Sequence, residues 1–434
     1  MNQLQLFLPC AAGVEELLAH EVHRLTGLQG HDLLTHRGGV LARASWRDVM
    51  GLNLHGRLAQ RVLVQLSLTS YRSERDLYEA ASAVAWEIWF TTKQTFKIEV
   101  TAQHSPLTSL NFAALKIKDA VADRFRGKTG VRPDVNTQWP DVRIYAHLTT
   151  DTATLYIDTS GEPLFKRGWR EDTGEAPLKE TLAAAMIAAS GWDALAADGV
   201  PLYDPCCGSG TIAIEAAQIA CGIAAGSRRR FGFEKLLPFQ PHVWQAMKAQ
   251  AHAAEHAPTA PVFGSDVAHR MVDFAQRNAE RAGVAHAVLF RGGDALQRLP
   301  PCEEPGVMLL NPPYGERIAA AGVAGAQRRR GREAFQPGAL AQQRRDVAAP
   351  TALTAPGGAA PSGDDGADFF QQLAAHWKKH YPGWTAWMLT PDLKLPGKMR
   401  LKERRRVPMW NGPIECRLFR FDLVKGQHRG PAGA

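Results

Sequence analysis

The sequence Val200-Pro201-Leu202-Tyr203-Asp204-Pro205-Cys206-Cys207-Gly208-Ser209-Gly210-Thr211 joins an apolar run to an acidic residue and two closely spaced glycines. It predicts a buried strand that ends at Asp204, a tight turn, and a helix that follows the turn. Gly208 and Gly210 let the backbone turn sharply and approach a ligand closely, so we expect a binding site here. Taken alone, the glycine spacing also fits the loose dinucleotide-binding pattern, and a turn without a ligand is a further alternative.

More short apolar runs follow this segment, separated by stretches long enough for helices. We predict strands at 200–204, 261–266, 287–290, 306–310 and 385–389. This alternation is typical of an α/β fold with a Rossmann-like, doubly wound parallel sheet. Asn411-Gly412 lies between two extended runs, and it predicts a hairpin of antiparallel strands at the end of that sheet.

The residues before about 160 have a different pattern, which is typical of an α+β region. Alternating apolar residues predict a strand at 4–8 and a hairpin around Thr150-Asp151, and helical spacing predicts helices at 77–90 and 110–125. We therefore expect a domain boundary near 160–175. The segment 320–367 is rich in Ala, Gly, Pro and Arg, and it predicts a disordered insertion.

The composition is that of a globular protein. With 434 residues, 45% hydrophobic and 22% charged, the chain is long enough for at least two domains and too apolar to be disordered throughout. Without a long apolar run or a signal-peptide pattern, we expect a cytoplasmic protein with no membrane partner. The six cysteines form no CxxC pair, so we expect neither a metal site nor structural disulfides.

The net charge of +8 includes clusters of arginine at 228–230, 328–330 and 404–406. Such clusters indicate a polyanionic partner, for example a nucleic acid. The alternative is that these arginines are solvated residues of surface loops.

Two further acidic residues follow predicted strands of the α/β region. Asp266 ends the run at 261–266, and Asp294 follows the run at 287–290 after a short glycine segment. Neighbouring parallel strands present their carboxyl ends at one edge, so both side chains are placed to meet a bound nucleoside, and Asp266 is placed to accept both ribose hydroxyls. Singly, each Asp is more often a turn or helix-capping residue.

The motif Asn311-Pro312-Pro313-Tyr314 directly follows the strand predicted at 306–310. Its prolines lack an N–H, so the loop offers carbonyl oxygens and the Asn311 side-chain oxygen as clustered acceptors. Such acceptors suit an exocyclic amine, because hydrogen bonds from both amine protons favour a tetrahedral nitrogen whose lone pair can attack. Tyr314 offers a face on which an unstacked base can lie.

At these residues the sequence resembles the THUMP-containing class I S-adenosylmethionine-dependent RNA guanine-N2 methyltransferases. The likeness rests on residues 177–185, 204–211, 264–266, 311–317 and 411–413, and on 111–120, which is similar to the family's THUMP helix. Apart from the insertion, it covers most of the chain. It implies an N-terminal ferredoxin-like segment at 1–55, a THUMP RNA-binding domain at 56–162 and a methyltransferase domain at 163–434.

The resemblance also implies the roles of site residues. S-adenosylmethionine is expected at Asp204, Cys206, Gly208, Ser209, Gly210, Asp266 and Asp294, and the catalytic residues are expected to be Asn311, Pro312, Pro313 and Tyr314. The implied reaction is methylation of the N2 amine of a guanosine in 23S ribosomal RNA. As weaker candidates for contacts to RNA phosphates we take the basic residues Lys116, Lys118, Arg167 and Arg170.

The sequence departs from the family pattern in two places. Ala268 stands where members often carry a second Asp, and the insertion beside the catalytic loop is longer than expected. Fused relatives continue into a second methyltransferase that makes 7-methylguanosine, and we expect that second activity to be absent.

Other functions remain open on the sequence. The Asn-Pro-Pro-Tyr loop does not choose the base or the RNA, so a tRNA guanine-N2 or an adenine-N6 methyltransferase is the nearest alternative. A nicotinamide-dependent oxidoreductase would use the glycine turn, but no acidic residue follows at the usual distance of ~20 residues. A non-catalytic RNA-binding ribosome-assembly factor would explain the basic residues but not the residues expected to bind the methyl donor.

Overall fold

The computed structural model describes residues 3–174, 177–312 and 365–424. Within this part of the chain, two seven-stranded sheets each carry helices, and the predicted α/β class with an α+β N-terminal region is confirmed. The helices are α1 (Glu15–Thr26), α2 (Trp46–His55), α3 (Glu74–Ala83), α4 (Leu110–Thr129), α5 (Glu180–Ser190), α6 (Trp192–Leu195), α7 (Thr211–Ala220), α8 (Pro241–Ala253), α9 (His269–Ala282), α10 (Asp365–His380) and α11 (Leu395–Met399).

The N-terminal sheet is one continuous sheet with the strand order β2-β3-β1-β4-β7-β6-β5. Its strands are β1 (Leu4–Pro9), β2 (Leu33–His36), β3 (Gly39–Ala44), β4 (Leu63–Ser70), β5 (Phe96–Ala102), β6 (Val142–Leu148) and β7 (Thr152–Asp158). β1 pairs with both β3 and β4, so the sheet crosses the domain boundary expected at 55–56 without a break. The hairpin predicted around Thr150-Asp151 joins β6 to β7.

Two helices of this region can be compared with the helices predicted from the sequence. α4 begins after Ser109, whose side chain accepts a hydrogen bond from the Phe112 N–H, and it covers the predicted helix 110–125. The helix predicted at 77–90 is wrong in extent, because α3 ends at Ala83. The Trp86 indole N–H donates to the Ala81 carbonyl at 2.7 Å, so this buried ring folds back onto the helix end.

The C-terminal sheet has the strand order β10-β9-β8-β11-β12-β14-β13. Its strands are β8 (Leu202–Asp204), β9 (Val262–Asp266), β10 (Val288–Gly292), β11 (Val307–Leu310), β12 (Thr385–Thr390), β13 (Arg405–Asn411) and β14 (Ile414–Asp422). β8 to β12 are mutually parallel, and β14 runs antiparallel to β12 and to β13. Both the doubly wound parallel sheet and the terminal hairpin predicted from the sequence are therefore confirmed.

A buried ion-pair cluster ties the N-terminal region to the C-terminal sheet. Glu215 on α7 contacts Arg57, which follows α2, at 3.1 Å and Arg167, which follows β7, at 3.0 Å. Because the Glu215 carboxylate is fully buried between two cations, they hold its pKa below the usual range against the cost of burial. The cluster fixes the two regions against each other, because loss of one partner would leave a buried charge uncompensated.

The described residues also bear on the expectations about membrane-spanning helices, metal-binding groups and the predicted insertion. None of the helices in the described ranges is long and apolar enough to cross a membrane. Among the same residues no group of three or more His, Cys, Asp or Glu is arranged to hold a metal ion. The predicted insertion 320–367 lies outside the described residues except for its last three, which begin α10.

Candidate functional site

The carboxyl ends of four parallel strands bring the predicted site residues to one edge of the C-terminal sheet. Asp204 ends β8 opposite Gly264, and Asp266 ends β9 opposite Gly292. On the other side of β8, Met308 of β11 lies opposite Tyr203, so Asn311 directly follows β11 at the same edge. Pro313 and Tyr314 lie outside the described residues.

The two glycines of the turn have different surroundings. Both have positive φ angles, 53° at Gly208 and 88° at Gly210, which favours glycine at both positions. A Cβ added at Gly208 would meet nothing within 4 Å, whereas one added at Gly210 would lie 3.0 Å from the Ala275 side chain. Gly208 therefore faces open space, while Gly210 lets α7 pack closely against α9.

Asp266 links the glycine turn to the next strand. Its Oδ2 accepts a hydrogen bond from the Gly208 N–H at 3.0 Å, and its Oδ1 accepts one from the Ala268 N–H at 2.9 Å. Burial raises the pKa of this carboxyl, and the two backbone hydrogen bonds oppose that shift. The partly exposed carboxylate is thus held in one orientation beside the open space at Gly208.

Asp204 is turned into the protein. It is buried, its Oδ1 accepts a hydrogen bond from the Cys206 N–H at 3.0 Å, and burial together with the nearby Asp266 raises its pKa to about 8. The same burial raises the pKa of the Cys206 thiol well above its usual value. Asp204 therefore supports the turn from the protein interior. Cys206 contacts it through its backbone N–H and not through its thiol.

Asp294 and Asn311 complete the described edge. The Asp294 Oδ1 accepts a hydrogen bond from the Leu296 N–H at 2.9 Å, as in a turn that begins with Asp, and its side chain is partly exposed. Asn311 is partly exposed and Pro312 is buried. Since Pro312 has no N–H, it offers only its carbonyl oxygen to a ligand, and the Asn311 side chain adds an amide oxygen, so both can accept hydrogen bonds from a donor.

Arg170 supports the glycine turn from the segment that joins the two sheets. Its guanidinium donates to the Ser209 Oγ at 3.1 Å, to the Thr211 Oγ1 at 2.7 Å and to the Glu180 Oε1 at 2.8 Å. Asn278 of α9 adds a hydrogen bond from its Nδ2 to the Ser209 carbonyl at 3.0 Å. The turn is therefore held by side chains from two further elements, the connecting segment and α9, in addition to Asp266 of β9.

Arg167 and Arg170, two of the residues predicted to contact RNA, form ion pairs inside the protein. The Arg167 side chain is only 1% exposed, since it lies in the ion-pair cluster with Glu215, and that of Arg170 is 11% exposed. Neither guanidinium is available to a phosphate, so both are removed from the candidate RNA contacts. Lys116 and Lys118 on α4 are partly exposed; Lys116 lies over the Phe112 ring at 5.2 Å, and Lys118 pairs with Asp119 at 2.8 Å.

Sequence reasoning missed the supporting role of Arg170, Glu180 and Asn278. Glu180 lies inside the 177–185 stretch that carries the family resemblance, but the sequence does not indicate that it pairs with Arg170. Nothing in the local pattern around Arg170 or Asn278 indicates that either side chain is directed at the turn.

Three family models match the chain in succession. The RlmL ferredoxin-like domain matches residues 5–63, the THUMP domain matches 71–158, and the RMKL-like methyltransferase domain matches 167–327. They confirm the resemblance drawn from the sequence.

The chain is also similar to individual methyltransferases. The chain is 35% identical over 426 residues to the ribosomal RNA large subunit methyltransferase K/L of Psychromonas ingrahamii, covering 97% of this chain and 50% of that protein. The chain spans about half the length of the curated relatives it matches. Among solved structures, SMU.472 in complex with SAH is 25% identical, with a TM-score of 0.79 and coverage of 98% of this chain and 100% of that one. A predicted N6-adenine-specific DNA methylase from Listeria monocytogenes is 26% identical, with a TM-score of 0.76 and coverage of 97% and 96%.

Proposed function

Since the chain carries an RlmL ferredoxin-like domain, a THUMP domain and an RMKL-like methyltransferase domain, we propose that it transfers a methyl group from S-adenosylmethionine to the N2 amine of a guanosine in 23S ribosomal RNA. The observation that carries the proposal is the shared sheet edge, where an open glycine turn and the oriented Asp266 carboxylate lie beside the acceptor loop at Asn311. The name of the Psychromonas relative supports the choice of ribosomal RNA.

The turn suits S-adenosylmethionine because it combines open space with oriented polar groups. Gly208 leaves room for a close approach, and the Asp266 carboxylate beside it is placed to accept ribose hydroxyls. The SAH complex of SMU.472 supports the same ligand class. The cofactor supplies an electrophilic methyl group on a sulfonium sulfur. In this proposal Asp204, Cys206, Ser209 and Gly210 form and support the turn, and Asp294 contacts the adenine.

The acceptor loop would prepare the target amine. The Asn311 side-chain oxygen and neighbouring carbonyls accept hydrogen bonds from both amine protons, which localises the lone pair on the nitrogen for attack. Pro312 keeps this stretch free of a competing N–H donor, and Pro313 and Tyr314 are proposed to continue the loop and to stack the base. Because the reaction relies on positioning, no strong general base is required.

The N-terminal region would hold the RNA. We retain Lys116 and Lys118 as candidate phosphate contacts, and we propose a ferredoxin-like segment at 1–55, a THUMP domain at 56–162 and a methyltransferase domain at 163–434. The proposed ribosomal RNA substrate supports the expected cytoplasmic location.

The deciding experiment is transfer of labelled methyl from S-adenosylmethionine to ribosomal RNA from cells that lack the protein, followed by mass analysis of the nucleosides. We expect N2-methylguanosine in the large-subunit RNA. Methyladenosine, or label only in tRNA, would overturn the proposed substrate and favour the adenine-N6 or tRNA alternative. Cofactor binding without transfer to any RNA would favour a different acceptor or a non-catalytic assembly factor.

A further inference from the structure

The β13–β14 hairpin projects beyond the edge of the sheet that carries the candidate site. Thr390, the last residue of β12, lies opposite Arg417, so β14 continues past the end of β12 to Ile414. β13 runs back from there, with Trp410 opposite Glu415. The Asn411-Gly412 turn therefore lies at the same edge as Asn311, and with strands about 4.8 Å apart, β14 is about 10 Å from β11.

The tip of this hairpin carries apolar and basic groups on both of its faces, with Ile414 opposite Asn411 on one face and Trp410 and Arg417 on the other, and the segment after β12 adds more at the same edge. We call the set of Leu393, Lys394, Trp410, Ile414 and Arg417 the tip surface. Leu393 is 55% exposed and Ile414 is 48% exposed, and Lys394 is exposed as well. The Arg417 guanidinium lies 6.0 Å from the centre of the Trp410 ring, on the same face of the hairpin. Trp410 is partly exposed, and this guanidinium lies over its ring; an aromatic ring and a guanidinium plane are both groups on which unpaired bases stack.

The charge around the tip surface favours an anionic partner. Residues 392–422 contain nine Lys and Arg residues against four Asp and Glu residues. At the tip itself Arg417 is paired with Glu415 at 2.7 Å and Lys394 is exposed, while the exposed Arg405 and Arg406 lie at the other end of β13. Since a large part of the excess positive charge of the chain lies in this segment, an RNA strand is electrostatically complementary to it.

The hairpin also lies between the N-terminal region and Asn311. In the sheet order, β14 and β13 follow β11 and β12, and Gly13 of the N-terminal region lies so close to β13 that an added Cβ would be 2.2 Å from the Pro408 oxygen. The hairpin therefore contacts the N-terminal region through β13 and reaches the edge of the sheet at which Asn311 lies.

We infer that the tip surface binds the single-stranded nucleotides next to the target, with one base stacked on Trp410 and a phosphate beside Arg417 and Lys394. This inference rests on the proposed RNA substrate and adds the surface that positions it. An alternative role for charge and proline on an edge strand is to prevent pairing with other sheets. That role would require the arginines and Pro408 but not a ring at Trp410.

The test is the affinity of the full chain for protein-free 23S ribosomal RNA, measured by filter retention at fixed salt. Base stacking contributes about 1–3 kcal/mol per base, so we expect Trp410→Ala to raise the Kd for RNA about tenfold, while Trp410→Tyr stays close to the original protein. The matched charge control is Arg404→Gln, because Arg404 is 77% exposed on the same hairpin but next to the opposite end of β13. We expect Arg417→Gln to weaken binding more than Arg404→Gln does.

Unchanged RNA affinity in Trp410→Ala would overturn the inference, as would equal losses in Arg417→Gln and Arg404→Gln. Binding of S-adenosylmethionine checks that each variant is folded, because the tip surface lies away from the glycine turn. The proposed function fails separately, if the original protein binds this RNA but methylates none of it.

Discussion

The two halves of the C-terminal sheet use the same carboxyl edge in different ways. In the β10-β9-β8 half, the carboxylates of Asp204 and Asp266 accept hydrogen bonds from backbone N–H groups of the glycine turn itself and of Ala268. In the β11-β12-β14-β13 half, the edge presents the acceptor loop at Asn311 and then an exposed surface of apolar and basic side chains. The first half is held in shape by contacts within the protein, whereas the second presents groups that suit an outside partner.

For the proposed methyl transfer, this difference implies that donor binding and acceptor chemistry are separable. Changes in the β10-β9-β8 half should act on the affinity for S-adenosylmethionine, and changes at the acceptor loop should act on the rate of transfer. Measuring the cofactor Kd and the transfer rate of single variants tests whether the two effects are separable.

The largest effect is expected from Asn311→Ala. If its side-chain oxygen orients the target amine, the rate of methyl transfer should fall by at least about 10²-fold, the loss seen when one orienting hydrogen-bond partner is removed from an active site. Single-turnover transfer to ribosomal RNA measures the rate, and calorimetry measures the Kd for S-adenosylmethionine, which should stay within about twofold.

Asn311→Asp is the matched variant, because it keeps acceptor oxygens at the same position. We expect it to retain more activity than Asn311→Ala. If Asn311→Ala weakened cofactor binding as much as it slowed transfer, the two halves would not be separable.

Asp266→Ala should act in the opposite way. A hydrogen bond to a charged group contributes about 1.5–3 kcal/mol, so losing the carboxylate should raise the Kd for S-adenosylmethionine by about 10- to 100-fold. At saturating cofactor the rate of transfer should recover to within a few fold. Asp266→Asn keeps one acceptor oxygen, so its Kd for S-adenosylmethionine should lie between those of the original protein and Asp266→Ala. An unchanged Kd in Asp266→Ala would remove this residue from the cofactor site.

A smaller loss of cofactor affinity, about tenfold, is expected from Arg170→Gln, since the change removes the charge-assisted hydrogen bonds to Ser209 and Thr211 that support the turn. Because the Arg170–Glu180 pair is buried, the single change should also lower the Tm. The double variant Arg170→Gln with Glu180→Gln removes both charges and should regain part of the Tm without regaining cofactor affinity.

Arg277→Gln is the control for Arg170→Gln. Arg277 pairs with Asp172 in the same connecting segment, at 2.8 Å, but its side chain is 47% exposed, and no contact of it to the turn is present in the described structure. It should leave the Kd for S-adenosylmethionine unchanged. An equal loss of affinity in this control would mean that the connecting segment acts through general stability.

The parallel sheet and its edge residues could be predicted from the sequence, whereas the burial of two arginines could not. The parallel sheet could be predicted because its strands are short, continuous apolar runs, as in β11, where all four residues are buried. The edge residues could be predicted because parallel strands bring their carboxyl ends together. The burial of Arg167 and Arg170 could not, because their partners Glu215 and Ser209 are about 40 to 50 residues away along the chain.

Other elements were missed for a local reason. No strands or helices were predicted between residues 28 and 62, where the structure has β2, β3 and α2. In β2 three of the four residues are exposed, so no alternation of apolar and polar positions marks it as a strand. Such a strand is stabilised by pairing with β3, a contact that a single-segment pattern does not contain.

The smallest effect is expected from Cys206→Ala, although Cys206 belongs to the predicted cofactor set. Its contact to Asp204 is made by the backbone N–H, which alanine keeps, so the Kd for S-adenosylmethionine should change by less than about threefold. Burial, and then the charges of Asp204, Asp266 and Asp294, raise the pKa of the thiol, so it should also react slowly with iodoacetamide at neutral pH. A tenfold rise in the Kd would show instead that the sulfur itself contacts the cofactor, and that this half of the edge depends on more than its backbone hydrogen bonds.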